Sequence, residues 1–109
     1  MSATLTKARS FLALLIDNKT LTQQKRSLLN TTNDNQLQAL TLIAQNSLKD
    51  NIPINDVQKR KIHKYRKILK KIASKNLSNK SKKKLIKKHY KIILLILIIL
   101  KELLERVII

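Results

Sequence analysis

The chain contains no cysteine and no glycine, and its single proline is Pro53. Without cysteine there can be no disulfide framework and no thiolate metal centre. Without glycine there is no glycine-rich phosphate loop, nucleophile elbow or dinucleotide fingerprint. The aromatic residues are Phe11, Tyr65 and Tyr90, too few to form a stacking platform along single-stranded nucleic acid. Phe11 and Tyr65 fall on apolar stripes and read as core. The two histidines, His63 and His89, lie far apart in a stretch with no acid and read as helix-surface residues. The acids Asp17, Asp34, Asp50 and Asp56 fall at expected helix ends or connectors, and Asp34 and Asp56 suit the positive end of a helix dipole. No group of side chains suggests catalysis, so the chain reads as non-enzymatic, with no cofactor and no metal.

What is abundant is positive charge. The 109 residues hold 24 Lys and Arg against six Asp and Glu, a net charge of +18. Residues 1–56 carry six cations and four acids, and residues 92–109 carry two of each. The block 57–91 holds the other sixteen cations and no acid. They are Lys59, Arg60, Lys61, Lys64, Arg66, Lys67, Lys70, Lys71, Lys75, Lys80, Lys82, Lys83, Lys84, Lys87, Lys88 and Lys91. Self-repulsion on this scale opposes compaction unless an anion compensates it, so the expected partner is a polyanion, double-stranded DNA first. Lysine serves phosphate as a point charge but lacks the fork that reads guanine; only Arg60 and Arg66 in the block have it. Largely sequence-independent backbone neutralisation follows. If about half of the block meets phosphate, the salt slope is about −7.

With turns left to Asn, Thr and Ser, the expected fold is all-α. Thr20 with Gln23, Asn33 with Gln36 and Asn55 with Gln58 each read as a capping box. A first helix spans 4–16, with Leu5, Ala8, Leu12, Leu15 and Ile16 on one face. A second runs from Thr20 to about Asn30 with Leu21, Leu28 and Leu29, and a third covers 33–50 with Leu37, Leu40, Ala44, Ser47 and Leu48. Residues 56–75 form a fourth, about 30 Å long, with Ile62, Tyr65, Leu69 and Ile72 in line. Ser78 is a candidate cap for the last helical stretch. Three regions result: a small helical module (1–52), basic DNA-binding helices (53–91) and an apolar association helix (92–109).

The run Ile92–Leu100 is apolar throughout but covers only about half a bilayer core. Ile93, Leu97, Leu100, Leu104 and Val107 then alternate at spacings of four and three, a short coiled-coil seam flanked by the pairs Lys101–Glu105 and Glu102–Arg106. Self-association or docking on a capsid partner is the first reading of this tail. Burial within the same domain and membrane contact are the others. A polybasic stretch beside an apolar helix also suits anionic lipid, so a membrane-active or minor capsid protein is the rival function.

The order of these features resembles a known family. Its marks are the segment Ser10–Thr20, the pattern Gln36-Leu37, Ala39-Leu40, Ile43, Asn46 and Leu48, and then Ile52-Pro53-Ile54. Lys61, Tyr65-Arg66, Leu69, Ala73 and Lys75 follow, then the lysine cluster Ser81–His89. Over residues 10–90 the chain resembles a small basic protein of polinton- and adintovirus-like DNA elements, which has been compared with the adenovirus core protein X, a DNA-condensing peptide of the virion. The resemblance implies a virion core or mobile-element structural protein, found in the virion and the host nucleus, with viral DNA as its polyanion. Family members often end in a glycine-rich apolar tail. This tail has no glycine and continues into Lys101-Glu-Leu-Leu-Glu-Arg106, which weakens any membrane role inferred from it.

Overall fold

The computed structural model of the protein describes residues 3–49 and 51–108, with side chains as far as Arg106. Among these residues the regular structure is all α-helical. In chain order it comprises α1 (Ala3–Lys7), α2 (Arg9–Ile16), α3 (Thr22–Asn30), α4 (Asp34–Ser47), α5 (Asp56–Lys64), α6 (Arg66–Ala73), α7 (Asn79–Lys88), α8 (Tyr90–Ile99) and α9 (Lys101–Ile108).

Four junctions are single residues. Ala8, Tyr65, His89 and Leu100 have φ of −102°, −105°, −114° and −91°, with ψ between 7° and 32°. Helical hydrogen bonds cross each of them. Leu12 N–H donates to the Ala8 carbonyl, Leu69 to Tyr65, Ile93 to His89 and Leu104 to Leu100, at 2.9–3.1 Å. At Ala8 and Tyr65 the amide turns to the carbonyl three residues back, tightening the turn locally. The expected straight 56–75 helix is therefore a bent pair, α5–α6, that stops at Ala73. The path from α7 to α9 bends twice. No proline or glycine makes these bends. They let long apolar stripes follow a small core: the radius of gyration is 12.7 Å, against about 13 Å for a compact chain of this length.

Two of the three capping boxes form as expected. Asn33 Oδ1 accepts from Gln36 N–H at 2.8 Å while Gln36 Oε1 accepts from Asn33 N–H at 3.0 Å, and Asn55 with Gln58 does the same at 2.8 and 3.3 Å. The Thr20–Gln23 box does not. Asp17 Oδ1 takes the Lys19 amide, which moves the start of α3 on by one residue. Gln24, not Gln23, reaches back to the Leu21 amide at 3.1 Å. Leu21 is left in solvent, 64 % exposed. Ser78 Oγ caps α7 through the Ser81 amide at 3.2 Å.

One buried cluster draws on all three regions of the sequence. It contains Leu5, Ala8, Phe11, Leu12, Leu15 and Ile16 from the first helices, Leu29 from α3, and Leu37, Ala39, Leu40, Ile43 and Ala44 from α4. Ile62, Leu69, Ile72 and Ile86 join it from the basic block, and Ile93, Leu94, Ile96, Leu97, Leu100 and Leu104 from the tail. Four of the five tail residues read as an association seam are thus packed inside this chain. Ile93, Leu97, Leu100 and Leu104 are each at most 5 % exposed and face other helices of the same chain. Val107 lies beyond the described side chains. The physical reason is that α8 is apolar on every side from Ile92 onward, and a helix of that kind is stable only when surrounded. Here α2, α3, α7 and α9 pack against it and leave Ile98 as its one exposed apolar residue. Lys101 Nζ lies 3.8 Å from Glu105 Oε1, the one ion pair among the described residues, so the expected Glu102–Arg106 pair is not formed. No helix among the described residues is long and apolar enough to cross a membrane.

Candidate nucleic-acid interface

The cations reach the surface because each basic helix gives a narrow apolar stripe to the core. Ile62 in α5, Leu69 and Ile72 in α6, and Ile86 in α7 are buried. Lysine and arginine are the commonest residues between them, and most of these are exposed. Helix α6 packs on α4 and α7, and α7 packs on α3 and α4, so the basic layer is held by apolar contacts beneath it. Of the sixteen cations in the block, fourteen are exposed, Lys83 is half-buried and Lys82 is buried. Among the described residues the one ion pair is Lys101–Glu105. No carboxylate in the described fold therefore neutralises this surface.

Lys82 does not lie with the rest. It is 5 % exposed, and its Nζ donates to Thr41 Oγ1 on α4 at 3.2 Å. Desolvation holds its pKa below the ordinary lysine value. The α7 face that carries Ile86 also carries position 82, one turn earlier, so the spacing of four was the available signal.

Two grooves gather the cations. Between α6 and α7, a groove of ≈ 410 Å³ brings Lys71 together with Lys84 and Lys88, over Leu77, Ser81 and Leu85. Between the α4–α5 connector and α5–α6, a larger one of ≈ 500 Å³ is rimmed by Lys49, Lys59, Arg60, His63, Arg66 and Lys70. Lys49 was not among the residues expected from the sequence, because it stands outside the basic block and only the fold returns it there. The aromatic rings are already covered. Arg26 lies over the Tyr90 ring at 4.8 Å and Lys64 over Tyr65 at 5.6 Å, leaving Phe11 in the core. No group of three or more acids and histidines among the described residues is placed to hold a metal.

Compared with known proteins, the chain matches no family model, no curated protein and no solved structure.

Proposed function

We propose that the chain is a non-enzymatic protein that binds double-stranded DNA with little regard to sequence, by neutralising backbone phosphates along α5–α8. The observation that carries this reading is the uncompensated surface: fourteen exposed cations in residues 57–91, with no carboxylate partner among the described residues. A field of this density concentrates polyanions and steers them to the surface. Lysine predominates, a cation lies over each tyrosine ring, and nine exposed cations run along the bent α5–α6 pair and its end. Each favours phosphate contact over base reading. A folded basic protein with more than one cationic groove can bridge neighbouring duplex segments, which would condense DNA. The setting is a virion core or mobile-element particle, and that part rests on the sequence resemblance.

The test is a salt titration of binding to several unrelated duplexes. A log–log slope of about −6 to −7, alike on each duplex, is expected if half of the exposed cations meet phosphate. A slope shallower than about −2, or one duplex bound far more tightly than the rest, overturns the reading.

A further inference from the structure

The larger groove is more than a collection of cations. Its floor is aliphatic: Leu48, Ile52 and Ile54 from the end of α4 and the connector, and Ile62 from α5. Ile62 is buried and the other three are half-buried. Its rim is cationic on two sides, with Lys49 on one and Lys59, Arg60, Arg66 and Lys70 on the other. Lys59, His63, Arg66 and Lys70 recur at spacings of four, three and four, which makes them one face of α5–α6 beside the apolar stripe. Arg66 Nη1 lies 3.1 Å from His63 Nε2. A guanidinium can only donate, so the imidazole nitrogen accepts and tethers the arginine to its neighbour on the rim. At ≈ 500 Å³ the groove falls within the range of small-ligand clefts, about 300–1,000 Å³.

Aliphatic surface beside cations calls for an occupant with both an apolar body and an anionic head. A nucleobase fits poorly. The one aromatic ring on the groove is the His63 imidazole, already engaged by Arg66, and Ser47, its one hydroxyl, already donates to the Ala44 carbonyl at 2.8 Å. Inorganic phosphate would meet the rim and leave the floor wet. We infer that this groove binds one single-chain anionic amphiphile, its alkyl chain on Leu48, Ile52, Ile54 and Ile62 and its phosphate or carboxylate between Arg60 and Arg66. The inference does not depend on DNA binding, and its test contains no DNA.

Decyl phosphate, kept well below its micelle concentration, is titrated into the full-length protein by calorimetry and followed in parallel by isoleucine-methyl NMR. Saturation at one molecule per chain is expected, with methyl shifts at Ile52, Ile54 and Ile62. Inorganic phosphate and 1-decanol should each bind at least tenfold more weakly. Arg66→Gln should weaken decyl phosphate at least tenfold, and Arg9→Gln, at an exposed site on α2, should leave it unchanged. The inference is overturned if inorganic phosphate or decanol binds as tightly as decyl phosphate. It is also overturned if several molecules bind with shifts spread over all the isoleucines, or if Arg66→Gln binds as the parent does. The NMR map decides the matter even where a substitution perturbs the fold.

Discussion

Helix α6 offers the core two fully covered residues, Leu69 and Ile72, with Ile68 and Ala73 half-buried beside them, and exposes Arg66, Lys67, Lys70 and Lys71. Helix α8, two residues longer, is leucine and isoleucine from Ile92 onward and buries four of them. The difference is a division of labour. A buried leucine or isoleucine stabilises the fold by about 1.5–3 kcal/mol, while crowded lysines on one face oppose it. A cationic layer this dense cannot hold itself together. It is carried by α4 beneath α6 and by α8 in the centre, and the charge and the adhesion are contributed by different helices.

Removing the adhesive element gives the largest effect. A chain ending at Lys91 lacks Ile93, Leu94, Ile96, Leu97, Leu100 and Leu104, all of them in the core. Truncating one such side chain costs about 2–5 kcal/mol, against a total stability of about 5–15 kcal/mol for a domain. Circular dichroism and NMR should therefore find the truncated chain unfolded at neutral pH, even though every cation of the basic block remains. A truncated chain that stays helical and melts cooperatively would make the tail an appendage and dissolve the contrast between the two helices.

Changing the cationic side should do the reverse. Replacing Lys70, Lys71, Lys84 and Lys88 by Gln removes four exposed charges on α6 and α7. Duplex binding near 0.1 M salt should fall at least tenfold, and the salt slope should become shallower by up to about 4. The melting temperature should hold or rise, because repulsion is relieved and no core atom is lost. A fall in melting temperature with binding unchanged would reverse the roles assigned to α6 and α8.

Much of this division was legible in the sequence. Polar caps such as Asn33 and Asn55 are local, so their boxes could be read from residues three apart. The stripes Leu5–Ile16, Leu37–Ser47 and Ile62–Ile72 are likewise periodic, and their faces follow from helix geometry alone. What stayed open was non-local. The spacing of Ile93, Leu97, Leu100 and Leu104 is the same in a seam between two chains and in a helix wrapped by its own chain. Only the folded neighbours α2 and α3 distinguish the two. The bends at Tyr65, His89 and Leu100 carry no proline or glycine, so nothing in the local sequence announced them. Thr20 lost its cap because Asp17 claimed the preceding turn. Of the candidate interface, the charge was plain from composition, but Lys49 joins it, and Lys82 leaves it, through tertiary packing.

Lys82 is a smaller test of the same contrast, a cation on the adhesive side. Its pKa is lowered by desolvation, so the folded protein resists its protonation more than the unfolded chain does. The resulting penalty is present in full below the lowered folded value. It is lifted as pH rises from there toward the ordinary 10.5, where the unfolded chain also gives up its proton. Lys82→Met should therefore be at least as stable as the parent at pH 7, and the parent should gain on it as the pH is raised toward 10.5. Parallel urea titrations across that window read this directly. If the parent instead falls steadily behind on the alkaline side, the buried ammonium is stabilising, and the bond to Thr41 outweighs its desolvation.

The smallest expected effect lies within α8 itself. Ile98 is 48 % exposed while its neighbour Leu97 is 1 % exposed, so one residue of helical rotation separates solvent from core. Ile98→Lys should change stability by less than about 0.5 kcal/mol, since a helix-forming residue replaces one that touches little. The same change at Leu97 would bury an unpaired charge and unfold the protein. Urea denaturation combined with light scattering separates two ways for the expectation at Ile98 to fail. A large loss of stability with the mass unchanged would mean that the outer side of α8 is covered by the chain's own residues. A drop in mass on substitution would mean that a second copy covers it. Then the apolar helix would serve both core and association, and the contrast with α6 would narrow to which of its faces each helix gives away.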